Sequence, residues 1–371
     1  MSAGDMEGFG RFGKRSLAAK KRSKFTKCPF LLPGFDSSPS TKKMTTVVIW
    51  NNLKKSQAMA TLKMPNEIEP LKHISVLIYG QPGIGKTTLA CSAADAVLFD
   101  YDGGVNRINP AHMIPTLQVE SWEDTSEALD LIKSNPVFAA TKTIVIDTVG
   151  KMLDYMTESI FRTNPKMKQY DGTLSLKGYG VRKKMFQDFT NLLTVSGYNV
   201  VYIAHEKEDK DGDSTIKRPL VGGSSAADLI QGLYLVGYMQ AHGNQRTISF
   251  NPTDSYYAKN SCNIPDSEVP VVVSKDGLNA KPITFMEDVV FGGFRKAQQN
   301  QKDMRMRYAD VLARIDDAIQ EVTDAESLNA AVDIIKKLDT IYDSKVRALQ
   351  AISAKASALG LTLNKQTKRY E

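Results

Sequence analysis

The sequence predicts an α/β fold in which a mostly parallel sheet is covered by helices on both faces, with a helical region appended at the C-terminus. Three observations predict it. Short apolar runs at 74–79, 96–100, 143–148 and 199–205 lack the alternation of a half-exposed strand and read as strands buried on both faces, and amphipathic helical segments alternate with them. A glycine-rich turn at 80–88 leads from the first of these strands into a helix. From about Lys296 the texture changes, and apolar residues recur at helical spacing only.

A chain of 371 residues that is 42% hydrophobic can bury one large core and an appendage. No apolar run approaches the ~20 residues of a membrane span, and the basic N-terminus is not followed by an apolar signal-peptide core, so a cytoplasmic protein without a membrane partner is expected. Cys28, Cys91 and Cys262 are far apart with no C-x-x-C pattern, which predicts neither disulfide nor zinc site. The net charge of +7 resides in residues 1–43, where ten Lys and Arg face three acids; the remainder is neutral overall. That segment mixes basic clusters with Gly, Ser and Pro, without periodicity, and is expected to be disordered. It reads either as a nucleic-acid-binding arm, with Phe9, Phe12, Phe25, Phe30 and Phe35 for stacking, or as an unstructured leader before a first residue at Met44. The resulting division is a basic tail at 1–43, a core at 44–295 and a helical region at 296–371.

Within the core, 47–50 is a candidate short strand. The turn that follows strand 74–79 is Gly80-Gln81-Pro82-Gly83-Ile84-Gly85-Lys86-Thr87-Thr88, the Walker A pattern. Its glycines let successive backbone N–H groups point inward at a phosphate chain, Lys86 reaches β and γ oxygens, and the Thr87 hydroxyl completes a Mg²⁺ shell, which predicts ATP and Mg²⁺ as ligands. A second strand, 96–100, ends in acidic residues and Gly103-Gly104; a short strand at 117–119 and a helix at 123–134 follow. The strand at 143–148 ends on Asp147, about sixty residues after the Walker A lysine, and reads as a Walker B strand whose carboxylate faces Thr87 across the metal. Next come a helix at 151–162, an aperiodic Lys/Gly-rich stretch at 163–180, an amphipathic helix at 181–195 and the strand ending at His205. A hydrophilic loop is predicted for 206–225, and later strands at 232–240 and 247–251. In the C-terminal region Met304, Tyr308, Val311, Leu312, Ile315, Ile319 and Val322 line one helix. Thr323 to Glu326 reads as a capping box for a second, and Val346, Leu349, Ile352 and Ala356 as the buried face of a third.

A whole strand-helix unit, 96–134, separates Walker A from Walker B, as in the P-loop division that activates water with an extra acidic residue. With Leu-Phe-Asp-Tyr-Asp-Gly-Gly at 98–104, Ile-Val-Ile-Asp-Thr-Val at 144–149 and Ile-Ala-His at 203–205, residues 74–290 resemble the RecA core. More closely they are similar to the RecA-like P-loop ATPases of bacteriophages that include the Sak-type single-strand annealing proteins. The resemblance implies that Asp102 activates water, although the family has Glu there, and that His205 senses the γ-phosphate; with Lys86 and Asp147 these form the catalytic set. It implies DNA-binding segments at 163–180, with Lys166, Lys168, Tyr170, Lys177 and Tyr179, and at 206–224, with Lys207, Lys210, Lys217 and Arg218. It also implies a cation supplied by a neighbouring subunit, for which Lys259 is the candidate, followed by Asn260 where the family has arginine. The function so implied is an oligomeric, DNA-stimulated ATPase, ring or filament, that binds single-stranded DNA in a host cytoplasm. Such a protein promotes annealing or pairing and works beside single-strand-binding or other replication proteins. The alternatives are a replicative helicase or helicase loader, and a nucleotide-gated DNA-binding module that hydrolyses little.

Overall fold

A run of Val, Ile, Leu and Phe at 74–79, 96–100, 143–147 and 199–205 has nowhere to sit except between two helical layers, and the computed structural model places it there. It describes residues 63–371 apart from 109, 212–213, 223–224 and 271–281; the tail and the strand expected at 47–50 lie outside the described residues. The strands are β1 (Ser75–Gly80), β2 (Ala96–Asp100), β3 (Thr116–Gln118), β4 (Thr143–Asp147), β5 (Asn199–Asp211), β6 (Ser214–Pro219), β7 (Leu235–His242), β8 (Gln245–Ser249), β9 (Lys259–Asn260) and β10 (Ser267–Val269). They form one mixed sheet in the order β10-β8-β7-β1-β5-β4-β2-β3, with β6 on β5 and β9 on β7. The six from β3 to β7 along this order are parallel, so their carboxyl ends share one edge.

Because side chains alternate along a strand, each strand feeds two cores. Val76 and Ile78 join Leu98, Val145, Val201 and Ile203 on one face, covered by α1 (Lys86–Ala90) and by Phe291 and Phe294. Leu77 and Tyr79 join Phe99, Ile146 and Tyr202 on the other, covered by α2 (Trp122–Ser134), α3 (Val149–Thr163) and α4 (Leu176–Val195), with α5 (Ser225–Gly232) beside them. Each fully buried aliphatic or aromatic side chain contributes roughly 1.5–3 kcal/mol, which is why this central region tolerates the polar, glycine-rich edge described below.

Two predicted boundaries move. The stretch at 163–180 is not aperiodic throughout: α4 opens at Leu176, where the Ser175 hydroxyl accepts from the Gly178 amide. Gly178 hid this turn, because glycine is a poor helix former; here it lets Leu174 pack close, since a Cβ would stand 2.8 Å from Leu174 Cδ2 and that side chain would have to shift. Nor is 206–225 a loop. β5 runs on past the sheet to Asp211 and β6 pairs back along it from Ser214 to Pro219, a projecting hairpin whose two faces are largely polar.

At the C-terminus a π-helical turn (Met286–Phe291) passes into the long α6 (Gly292–Gln320). Its first turns bury Phe294 against the sheet. Val311 and Ile315, further on, pack with α7 (Ala325–Lys336) and α8 (Ser344–Ala358) in a separate small core, so residue 296 lies inside a helix shared by both. The cap of α7 is Asp324 with Ser327, one residue on from the predicted box, and α8 buries Ala348, Ile352 and Ala356 while Val346 and Leu349 are exposed. Residues 63–371 form one compact unit, and among the described residues no helix is long and apolar enough to cross a membrane.

Candidate functional site

The shared carboxyl edge brings β1, β5, β4 and β2 together in register: Gly80 lies beside His205, and Asp100 beside Asp147. Gly80 has a φ of +156°, and a Cβ there would stand 2.3 Å from the Met239 carbonyl oxygen on β7, so only glycine lets the chain leave the strand here. Gln81, Pro82 and Gly83 are exposed, Ile84 tucks into the core, and Gly85, at a φ of +97°, caps α1, which carries Lys86, Thr87 and Thr88. Lys86 is 5% exposed, and its Nζ donates to the carbonyls of Gly80 (3.0 Å) and Gln81 (2.7 Å). Burial holds its pKa below the ordinary lysine value, opposed by the nearby Asp147.

Thr87 Oγ1 donates to Asp147 Oδ2 at 2.6 Å. Asp147 is 4% exposed, and burial pushes its pKa up to about 6; the Thr87 hydroxyl opposes that shift, and Asp100 and Asp102 add to it. A buried carboxylate held against a hydroxyl at the mouth of a glycine-rich loop fits Mg²⁺, which takes one or two protein oxygens and leaves the rest of its octahedron to phosphates and water. Among the described residues there is no group of three or more His, Cys, Asp or Glu that could hold a metal ion.

The acidic turn after β2 divides its labour. Asp100 is buried, and its carboxylate accepts from the backbone amides of Asp102 (3.2 Å), Gly104 (3.0 Å) and Val105 (3.0 Å), so it clamps the turn rather than facing a ligand. Asp102 is exposed, with Oδ2 3.8 Å from His205 Nε2. His205 is partly buried; its Nδ1 is buried without a hydrogen-bond partner, and burial, helped by Lys86 and Arg107, lowers its pKa against the pull of Asp102.

Sequence reasoning missed Arg107. It closes a short 3₁₀ turn, Val105–Arg107, and is exposed. A Cβ built on Gly104 would stand 3.8 Å from Arg107 Nη2 and 3.9 Å from Asp147 Oδ2, which puts the guanidinium near the carboxyl edge of the sheet. No local motif flags it, since its position depends on how Asp100 folds the turn.

The two basic segments differ. On the hairpin four cations meet five acids between 206 and 219. Lys217 lies 3.5 Å from Glu206 and over the Tyr238 ring, Lys207 is 2.9 Å and Arg218 3.6 Å from Asp209; Lys210 is exposed on the same hairpin. Its root is tied to the nucleotide strand: the buried Tyr79 hydroxyl on β1 is shared between the carbonyls of Tyr257 (2.5 Å) and Lys217 (3.1 Å). Between 164 and 184, by contrast, six cations meet Asp171 alone. There Met167 and Leu174 pack on Ile160 beneath a tight turn whose tip, Tyr170, is fully exposed, as is Leu176 nearby. Lys166, Lys168 and Lys177 are exposed, Lys168 over the Phe161 ring, and Tyr179 lies under the Arg182 guanidinium. Arg182 donates to the Gly222 carbonyl at the hairpin exit (3.5 Å), and Ser159 to Glu123 just past β3 (2.7 Å), so this corner lies on the carboxyl-edge side of the sheet.

Lys259 stands elsewhere. It pairs beside Val236, three positions before the neighbour of Gly80, and its Nζ donates to the carbonyls of Ile230 (3.2 Å) and Gln231 (3.3 Å) at the end of α5. A family model described as an AAA domain matches residues 72–262, the span from the residues before β1 to just past β9. No curated protein matches the chain.

Proposed function

The chain belongs to the AAA-domain family of P-loop NTPases, and from that premise we propose that it is an ATP-dependent, single-stranded DNA-binding protein that promotes annealing or pairing of strands. The observation that carries the DNA half is the corner at 164–184: a fully exposed Tyr170 with Lys166, Lys168 and Lys177 also exposed, on the same edge of the sheet as the Walker A loop. Aromatic faces stack on bases of any sequence and lysines follow the backbone, which is how single strands are held without base readout. The hairpin, whose cations are met by its own acids, is secondary in this reading.

In the hydrolytic half, Lys86 and the loop amides bind the phosphates of ATP, and Thr87 and Asp147 hold Mg²⁺, which as a Lewis acid neutralises charge developing on the phosphoryl oxygens. Asp102, exposed and level with His205, accepts the proton of the attacking water. Water oxygen bonds to the γ-phosphorus, the bond to the β–γ bridging oxygen breaks, and its electron pair leaves on ADP. Assembly into a ring or filament belongs to the same proposal. A second reading, a nucleotide-gated module with little turnover, is favoured by the Asp at position 102, one methylene shorter than the Glu of the proteins it resembles.

The test is fluorescence anisotropy with a labelled oligonucleotide across a salt series. Tyr170→Ala should weaken binding by ~1–3 kcal/mol. Replacing Lys166, Lys168 and Lys177 together by Ala should flatten the slope of log K against log salt by about two units, at ~0.7 per phosphate. Unchanged affinity and slope in both variants would remove the DNA assignment from this corner.

A further inference from the structure

Phosphoryl transfer needs positive charge on the equatorial oxygens of the transferring group, and many P-loop enzymes borrow it from another subunit or protein. Here Lys259, the sequence's candidate for that role, is committed to the carbonyls at the end of α5. A different cation is already at the edge. Arg107 sits on a turn whose backbone is fixed three ways: the Asp100 carboxylate accepts from Gly104 and Val105, the Arg107 amide donates to Gly104 O (3.0 Å), and buried Ile108 anchors the exit in the core. Its Nη2 and Asp147 Oδ2 both lie within 4 Å of the point a Cβ on Gly104 would occupy, and it acts electrostatically on His205 together with Lys86. Among the described residues no carboxylate is within ion-pair distance of it.

We propose that Arg107 contacts the γ-phosphate of the bound nucleotide from within the same subunit, a cation in cis. The proposal rests on the NTPase reading above and adds a residue to it. From a turn at the mouth of the site, a five-donor fork meets the terminal phosphate, whereas Lys86, buried in the loop, serves the β and γ oxygens from below. ADP lacks the group Arg107 would touch. The side chain therefore discriminates triphosphate from diphosphate, and it stabilises the charge that builds on the γ oxygens as the bridging bond breaks.

The experiment measures the affinities of a non-hydrolysable ATP analogue and of ADP for the full-length protein, the variants Arg107→Ala and Arg107→Lys, and Lys86→Ala. Arg107→Ala should weaken the analogue by roughly 10- to 100-fold with ADP affinity unchanged, and Arg107→Lys should recover part of the loss, since it keeps the charge without the fork. Lys86→Ala should lose both ligands. Because Arg107 is exposed, its thermal unfolding should match the wild type's, and that measurement guards against misfolding. An analogue-to-ADP affinity ratio equal to the wild type's in Arg107→Ala would overturn the proposal. Failure of the wild type to bind either nucleotide would instead overturn the NTPase reading and take this proposal with it.

Discussion

Asp100→Asn tests whether the turn carrying Asp102 and Arg107 is held by one buried carboxylate. In the wild type Oδ1 accepts from the Asp102 and Gly104 amides, and Oδ2 from Val105. The asparagine carbonyl can replace Oδ1, but its NH₂ then meets the Val105 N–H donor to donor. One charge-assisted bond, about 1.5–3 kcal/mol, is lost, and two others become neutral and weaker, so about 3 kcal/mol of stability should go. For a unit of this size that corresponds to a fall in Tm of roughly 5 °C. ADP binding should change little, because the Walker A loop is untouched, whereas phosphate release should slow as Asp102 loses its position. The assays are a thermal melt without nucleotide, ADP titration and steady-state phosphate release. A melting temperature and turnover both equal to the wild type's would refute the assignment of Asp100 as the clamp of this turn.

Other outcomes follow from the same geometry. Gly80→Ala should prevent folding or lower stability by about 2–4 kcal/mol, read by denaturant unfolding, because its Cβ would meet the Met239 carbonyl at 2.3 Å and that backbone is held in the sheet. Lys217→Ala with Arg218→Ala should leave the salt dependence of DNA binding within about half a unit of the wild type's slope, since both cations face acids of the hairpin. His205→Ala should leave ATP binding nearly normal but flatten the difference in DNA affinity between analogue-bound and ADP-bound protein, because the residue stands between the Asp102 turn and the hairpin, whose exit at Gly222 accepts from Arg182 of the 164–184 corner.

What was legible in the sequence is what a short local pattern can encode. The Walker A loop needs its glycines, lysine and threonine in one consecutive run, and the buried strands announce themselves as unbroken apolar runs ending on Asp100, Asp147 and His205. The hairpin was not legible, because neither face of β5 beyond His205 nor of β6 is buried enough to impose alternation. Its ion pairs arise between residues such as Lys207, Asp209 and Arg218 that only cross-strand pairing brings together. The first turn of α4 was masked by Gly178, whose value lies in the close approach of Leu174. In α8 the apolar residues Val346 and Leu349 drew attention from the smaller Ala348 and Ala356, which let the helices meet. The roles of Asp100 and Arg107 depend on the three-dimensional course of one turn, for which eight residues of sequence hold no periodic signal.

The central claim is that nucleotide at the Walker A edge governs a grip on single strands, and one titration addresses it directly: labelled single-stranded DNA bound by the wild-type protein with Mg²⁺ and either a non-hydrolysable ATP analogue or ADP. The account predicts tighter binding with the analogue, by roughly 5- to 150-fold for a coupling of ~1–3 kcal/mol, and loss of the difference in Lys86→Ala. Equal affinity in the two nucleotide states, or no binding of single strands in either, would contradict it.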